Sequence, residues 1–154
     1  MYIIYMIFTG IILLLGYYSL NQKRKYEKEK ILSDKHLEMF LLFDKWIQNE
    51  QNGKKIGDYL KKNKVENVIL YGMSYIGRRL YKELLKEDIK IKYLIDKNKG
   101  MNIDNREINQ IDECKDSADI VIVTAIYYFE DLKDELKMKF QCPILSLADI
   151  IYKM

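Results

Sequence analysis

Val65-Glu66-Asn67-Val68-Ile69-Leu70-Tyr71-Gly72-Met73-Ser74-Tyr75-Ile76-Gly77-Arg78 changes period halfway along. Residues 65–71 are rich in β-branched and aromatic side chains and read as a strand. Beyond Gly72 the apolar positions Ile76, Leu80, Leu84 and Leu85 recur at helical spacing up to residue 86, and residues 89–95 return to a strand pattern. That order is strand, helix, strand. Downstream, Ala118-Asp119-Ile120-Val121-Ile122-Val123-Thr124-Ala125 is the continuous apolar run expected of a parallel strand covered on both faces. A helix over residues 128–139, a short strand over 143–146 and a terminal helical turn over 147–152 complete the alternation. Residues 100–113 are less regular, with a minor strand near Glu107-Ile108. Alternating strands and helices predict an α/β domain, an open parallel sheet with helices on both faces.

Upstream, Leu37, Phe40, Leu41, Phe43, Trp46 and Ile47 have helical spacing until Gln51-Asn52-Gly53 interrupts them. A second short helix carries Ile56, Tyr59 and Leu60 and stops at Asn63. The side formed by Met39, Phe43 and Trp46 reads as a packing surface, against its own domain or a partner subunit, rather than a cofactor box.

Residues 2–20 contain no charged side chain. At about 1.5 Å rise per residue, such a helix comes close to the ~30 Å hydrocarbon thickness of a bilayer. A secretory leader is the main rival, but Met1-Tyr2 offers no basic region and Gly16-Tyr17-Tyr18-Ser19-Leu20 is a poor cleavage site. A buried core helix is the weakest alternative. Tyr2 and Tyr5 at one end and Tyr17 and Tyr18 at the other suit the two interfaces. Lys23-Arg24-Lys25 follows at once, which predicts a single-pass transmembrane helix with its N-terminus outside and a cytoplasmic C-terminal domain. The basic cluster reads as a solvated helix start that is also compatible with anionic lipid headgroups. Gly10 and Gly16 lack the four-residue spacing of a helix-dimer motif. The organisation expected is an anchor at 2–20, a charged juxtamembrane neck at 21–35, and an α/β domain with leading helices at 36–154.

The 154 residues leave room for one such domain, and 49% hydrophobic with 32% charged residues argues for a packed interior and against disorder. The net charge of +3 is concentrated at Lys23, Arg24, Lys25, Lys28 and Lys30, so no nucleic-acid footprint is expected. Cys114 and Cys142, with His36 the sole histidine, make neither a zinc site nor a disulfide framework, and read as reduced, partly buried thiols.

Gly72-Met73-Ser74-Tyr75-Ile76-Gly77 is a G-x-S-x-x-G variant of the dinucleotide fingerprint, placed between a strand and a helix as that fingerprint requires. Gly72 makes the tight turn, Gly77 lets the helix approach the sheet, and the helix N-terminus directs free N–H groups at a phosphate. Ser74 stands where the middle glycine would allow closest approach; its hydroxyl suits a phosphate oxygen while its Cβ obstructs a dinucleotide. Asp96, nineteen residues after Gly77, ends the second strand and suits ribose hydroxyls. Thr124 ends a later strand on the same carboxyl edge and forms a pocket wall. The candidate cofactor-binding set is therefore Gly72, Ser74, Tyr75, Ile76, Gly77, Asp96 and Thr124. The bland alternative is that both glycines serve turn and packing while Asp96 caps a loop. Lys97 softens discrimination against a 2′-phosphate in one reading and is simply solvated in the other. Tyr81-Lys82 is wrongly spaced for hydride-transfer chemistry, His36 lies by the neck, and no Ser-His-acid set or metal cluster stands out, so no catalytic residue is assigned.

Trp46, Val68-Ile69-Leu70-Tyr71-Gly72-Met73, Ile76-Gly77, Ile91-Lys92-Tyr93-Leu94-Ile95-Asp96-Lys97-Asn98, Asp119-Ile120-Val121-Ile122-Val123-Thr124 and Leu147-Ala148-Asp149-Ile150-Ile151 together resemble the small Rossmann-like domains of bacterial surface-polysaccharide biosynthesis proteins, some appended to glycosyltransferases. The pattern, over residues 38–152, is also similar to the nucleotide-sugar-binding N-terminal half of bacterial sugar acetyltransferases, without their left-handed β-helix. The resemblance implies a nucleotide or nucleotide-sugar site at Gly72, Ser74, Gly77 and Asp96, and not a reaction. The function expected is a membrane-anchored binding module for such a ligand, accessory to polysaccharide assembly, with phosphates at Gly72 to Arg78 and ribose at Asp96. A glycosyltransferase or another assembly protein, the lipid bilayer, and a second copy of the chain are the partners considered. The alternatives are an NAD(P)-dependent oxidoreductase or epimerase-like enzyme and a ligand-free interaction domain on the same scaffold.

Overall fold

The computed structural model describes residues 1–98 and 102–154, in two compact units, residues 1–40 and 41–154. The first unit is helical from Tyr2 onward and belongs to helix α1, Tyr2–Gln51. Its apolar side chains from Tyr2 to Leu20 are exposed, and the helix is long and apolar enough to cross a membrane. The helix continues through the charged segment without interruption, because Lys, Arg and Glu between residues 23 and 30 are good helix formers, with Lys25 and Glu29 paired at i,i+4.

In the second unit, the end of α1 buries Leu42, Trp46 and Asn49, one face at i, i+4, i+7. The helix stops where Gly53 adopts φ +72°, close to the expected interruption. Helix α2, Ile56–Lys62, ends at Asn63 as expected. Strand β1, Asn67–Tyr71, leads through Gly72 into α3, Tyr75–Leu84, and on to β2, Lys90–Ile95. After the hairpin described below come β5, Ile120–Val123, helix α4, Phe129–Lys139, β6, Ile144–Ser146, and α5, Leu147–Lys153. The four-stranded sheet has the order β2-β1-β5-β6, and every neighbouring pair is parallel. Fold class is thus mixed α/β around a parallel sheet.

Alternation along the strands sends two sets of side chains to opposite faces. Ile69, Tyr71, Val121 and Val123 pack with Phe129, Leu132 and Leu136 of α4. Val68, Leu70, Leu94 and Ile122, the other set, are equally inaccessible, so both faces of the sheet are covered. Cys114 and Cys142 are free thiols, and burial pushes Cys114 up to about 11, which keeps it protonated at neutral pH.

The irregular stretch resolves into β3, Asn102–Ile103, and β4, Arg106–Glu107, an antiparallel hairpin outside the main sheet. Residues 100 and 101, the start of that stretch, lie outside the described residues. Asp104 and Asn105 take φ 49° and 62°, as a two-residue hairpin turn requires. The Arg106 guanidinium donates to the carbonyls of Ile91 and Lys92, satisfying acceptors on the β2 edge of the sheet.

Polar bonds join the helices and strands at defined points. Asn49 donates to the Ile151 carbonyl at 2.7 Å, and the Asp119 carboxylate accepts from the N–H groups of Glu66 and Asn67 at 2.8 and 2.7 Å. The half-buried Glu83 accepts the Trp46 indole N–H at 3.0 Å and the Ile56 N–H at 3.3 Å. Burial raises the Glu83 pKa, whereas the backbone donors lower that of Asp119. A raised carboxyl pKa means that the folded chain holds the proton more tightly, so this contribution is present below the ordinary value and lost as pH rises through the raised one. Asp119 acts with the opposite sign, its contribution being lost as pH falls below about 4. Removing the Glu83 acceptors leaves the Trp46 N–H unpaired. Glu83→Ala should lower stability by about 1–3 kcal/mol in thermal melts of the full chain in detergent. The deficit should widen as pH is lowered from 7, because only the wild type gains from protonation at this position.

Candidate functional site

The strand order reverses between β1 and β5, the point where open parallel sheets receive ligands at their carboxyl edge. Gly72 follows β1 there with φ +94°, a conformation that glycine adopts without strain. A Cβ on Gly72 would stand 2.9 Å from the Thr124 hydroxyl and 3.1 Å from the Ala125 nitrogen. A Cβ on Gly77 would overlap the Gly72 carbonyl oxygen, so the first turn of α3 lies directly against the turn that precedes it. Thr124 closes the arrangement from β5. Its N–H donates to the Tyr71 carbonyl at 2.8 Å, and its hydroxyl, 1% exposed, lies within hydrogen-bonding reach of the carbonyls of both Tyr71 and Gly72.

Asp96 reaches the same turn from β2. One carboxylate oxygen accepts the Met73 N–H at 2.6 Å and the other the Asn98 N–H at 2.9 Å. The carboxylate therefore holds the glycine turn, and each oxygen retains lone-pair capacity for a further donor. Arg78 adds a third fastening, its Nε donating to the Met73 carbonyl at 3.1 Å. Ser74 is the N-cap of α3 in extended conformation, with no capping bond from its side chain, and the first helix bond runs from Arg78 N–H to the Ser74 carbonyl. The earlier N–H groups of α3 lack partners within the helix.

These interactions sort the seven candidates. Ser74, Tyr75 and Asp96 line one open cleft of about 270 Å³ together with Met73, Arg78 and Asn98. Tyr75 is 83% exposed at its mouth. Gly72, Gly77 and Thr124 stand behind the cleft as packing and fastening, and the Ile76 side chain is buried in the core. Sequence reasoning had no role for the Met73 N–H or for Asn98 as lining. Arg78 ends the stretch, Gly72 to Arg78, along which the sequence places ligand phosphates, and four positions after the N-cap it lies one helical turn on, over the same spot. A positive helix end, a guanidinium and a carboxylate with residual acceptor capacity suit a ligand that combines an anionic group with hydroxyls.

No protein-family model, curated protein or solved structure matches the chain.

Gly77→Ala tests the close approach. Relief of the overlap requires the backbone of α3 to move off β1, so we expect a loss of at least about 1–3 kcal/mol. The measurement is the melting temperature of the full chain, with Gly10→Ala, where a Cβ meets nothing within 4 Å, as the neutral control.

Proposed function

We propose that the chain is a membrane-anchored, Rossmann-like binding module for a nucleotide or nucleotide-sugar, accessory to bacterial cell-surface polysaccharide biosynthesis. Residues 2–20 form the anchor, residues 21–35 the charged neck, and residues 36–154 the cytoplasmic ligand-binding domain with its leading helices. A glycosyltransferase or another assembly protein is the partner in this reading. The observation that carries it is the cleft at the carboxyl edge of β1 and β2, where the N-terminus of α3, Arg78 and Asp96 converge. Ligand phosphates lie at the first turn of α3 beside Ser74 and Arg78, and ribose hydroxyls donate to the open lone pairs of Asp96. The polysaccharide context rests on the resemblance of residues 38–152 alone.

A second reading has its own support. Asp96 and Thr124 both hold the turn, which is also what a ligand-free interaction scaffold needs. An NAD(P)-dependent enzyme draws less support, since among the described residues lining the cleft there is no His or Lys, and the Asp96 carboxylate already holds the Met73 N–H.

A thermal-shift series of the full chain in detergent separates these readings, because a ligand of the native state raises its stability. We expect a nucleotide or nucleotide-sugar to raise Tm, and Asp96→Asn to weaken its binding by roughly ten- to a hundredfold. Asparagine keeps an acceptor for the Met73 N–H, whereas alanine would free the turn itself. If no such ligand shifts the wild type, the interaction-domain reading replaces this one. Orientation is checked separately: protease applied outside intact cells should leave residues 36–154 uncut, and digestion there would refute a cytoplasmic domain.

A further inference from the structure

Tyr71, the last residue of β1, is 3% exposed, and its hydroxyl has no hydrogen-bond partner among the described residues. A buried hydroxyl in that condition is costly, and phenylalanine would fill the same space without it. The Tyr71 ring lies on the α4 face of the sheet, in the cluster with Phe129, Leu132 and Leu136. There it lines a second cleft, of about 140 Å³, with Asp96, Lys97, Gln110, Asp112 and Glu135. Burial first, then the negative charges of Glu135 and Asp96, push the phenol up to about 12, so the hydroxyl keeps its proton at physiological pH.

The walls specify a ligand. Three carboxylates against one ammonium disfavour an anion in this space, while offering many acceptors to hydroxyl donors. The Tyr71 hydroxyl donates as well as accepts, matching the dual character of a sugar hydroxyl. The volume is close to the ~150 Å³ that holds one six-membered ring, and here the lining is polar. Among the described residues no group of His, Cys, Asp and Glu is arranged to hold a metal ion. Asp96 lines both this cleft and the one at the N-terminus of α3, so one ligand can reach the two through a shared residue.

We propose that the Tyr71 cleft is a sugar subsite that takes the hydroxyl-bearing ring of a sugar phosphate whose phosphate lies at the N-terminus of α3. The inference rests on the binding-module reading above and deepens it. The ring belongs either to the ribose of a nucleotide or to the glycosyl unit of a nucleotide-sugar, and the two sources share the chemistry the cleft recognises.

The test titrates the full chain in detergent, wild type and Tyr71→Phe, with ribose 5-phosphate, glucose 1-phosphate, inorganic phosphate, D-ribose and D-glucose, followed by ligand-observed saturation-transfer NMR. The expected result is that one sugar phosphate binds more tightly than inorganic phosphate and that Tyr71→Phe weakens it about three- to tenfold, the loss of one hydrogen bond. Inorganic phosphate should be indifferent to the substitution, and Tm should not fall. Preference for ribose 5-phosphate assigns the ring to the nucleotide, and preference for glucose 1-phosphate to the glycosyl unit. Equal affinity for phosphate and both sugar phosphates, or binding unchanged by Tyr71→Phe, overturns the subsite while leaving the anion site intact. A drop in Tm with unchanged binding also overturns it, assigning the hydroxyl to the fold or to a buried water. If inorganic phosphate fails to bind, the anion site falls; Tyr71-dependent binding of a free sugar then sustains the subsite, and its absence overturns that too.

Discussion

The contact between Gly77 and the Gly72 carbonyl governs the carboxyl edge of the sheet. It allows α3 to start immediately beside the end of β1, so that Ile76, Leu80 and Leu84 reach the core from a helix lying close to the sheet. With no Cβ on either glycine, Thr124 can approach from β5 and engage the same carbonyl. The β1–β5 pairing, from Val68 opposite Ile120 to Tyr71 opposite Val123, thereby ends in a side-chain bond instead of fraying. Asp96 then fastens the turn from the β2 side through the Met73 N–H. Three parallel strands converge on one turn, and its conformation follows from all of them together.

The same fastening decides which groups remain for a ligand. Thr124 is buried and its hydroxyl is engaged with backbone carbonyls, so it shapes the site from behind. Asp96 is engaged only in part, because a carboxylate accepts more bonds than the two N–H groups it holds. Ser74 and Tyr75 present exposed side chains at the helix start, where the N–H groups of α3 that lack partners within the helix also lie. A turn fastened on several sides is a preorganised arrangement for the ligand proposed above, since little further ordering would accompany binding.

Much of this was legible in the sequence where residue type and function coincide. Gly72 and Gly77 could be read because a turn with positive φ and a close helix approach both exclude a Cβ, and the strands because apolar runs such as 120–123 suit only a doubly covered sheet. The hairpin was legible only as a minor strand near Glu107-Ile108, because each of its strands has two residues and its turn is Asp104-Asn105, without the glycine that usually marks such turns. The Asp96 bond to Met73 was also hidden. Spacing places an acid at the end of β2, but whether it faces outward or folds back onto the turn depends on the register of β1 against β2, which shifts between Val68 and Ile69. Tyr71 reads from sequence as one more core aromatic in an apolar strand. The isolation of its hydroxyl emerges only once α4 and the segment around Gln110 are in place.

Charge at the glycine turn limits how strongly the cleft can attract an anion. The N-terminus of α3 carries the equivalent of roughly half a positive charge, and Arg78 adds a full one at the cleft wall. Against these stands the Asp96 carboxylate, 2.6 Å from the Met73 nitrogen and so already beside the helix end that would receive a phosphate. The carboxylate offsets part of that positive charge at the helix end. In the proposed site, orientation would come from directed hydrogen bonds, with phosphate oxygens toward the helix N–H groups and hydroxyls toward Asp96. That division suits a ligand carrying both groups a short distance apart, and inorganic phosphate satisfies only half of it. Discrimination in such a site is set by the hydroxyl-bearing part of the ligand, because replacing those donors leaves Asp96 with unfilled acceptors facing an anion.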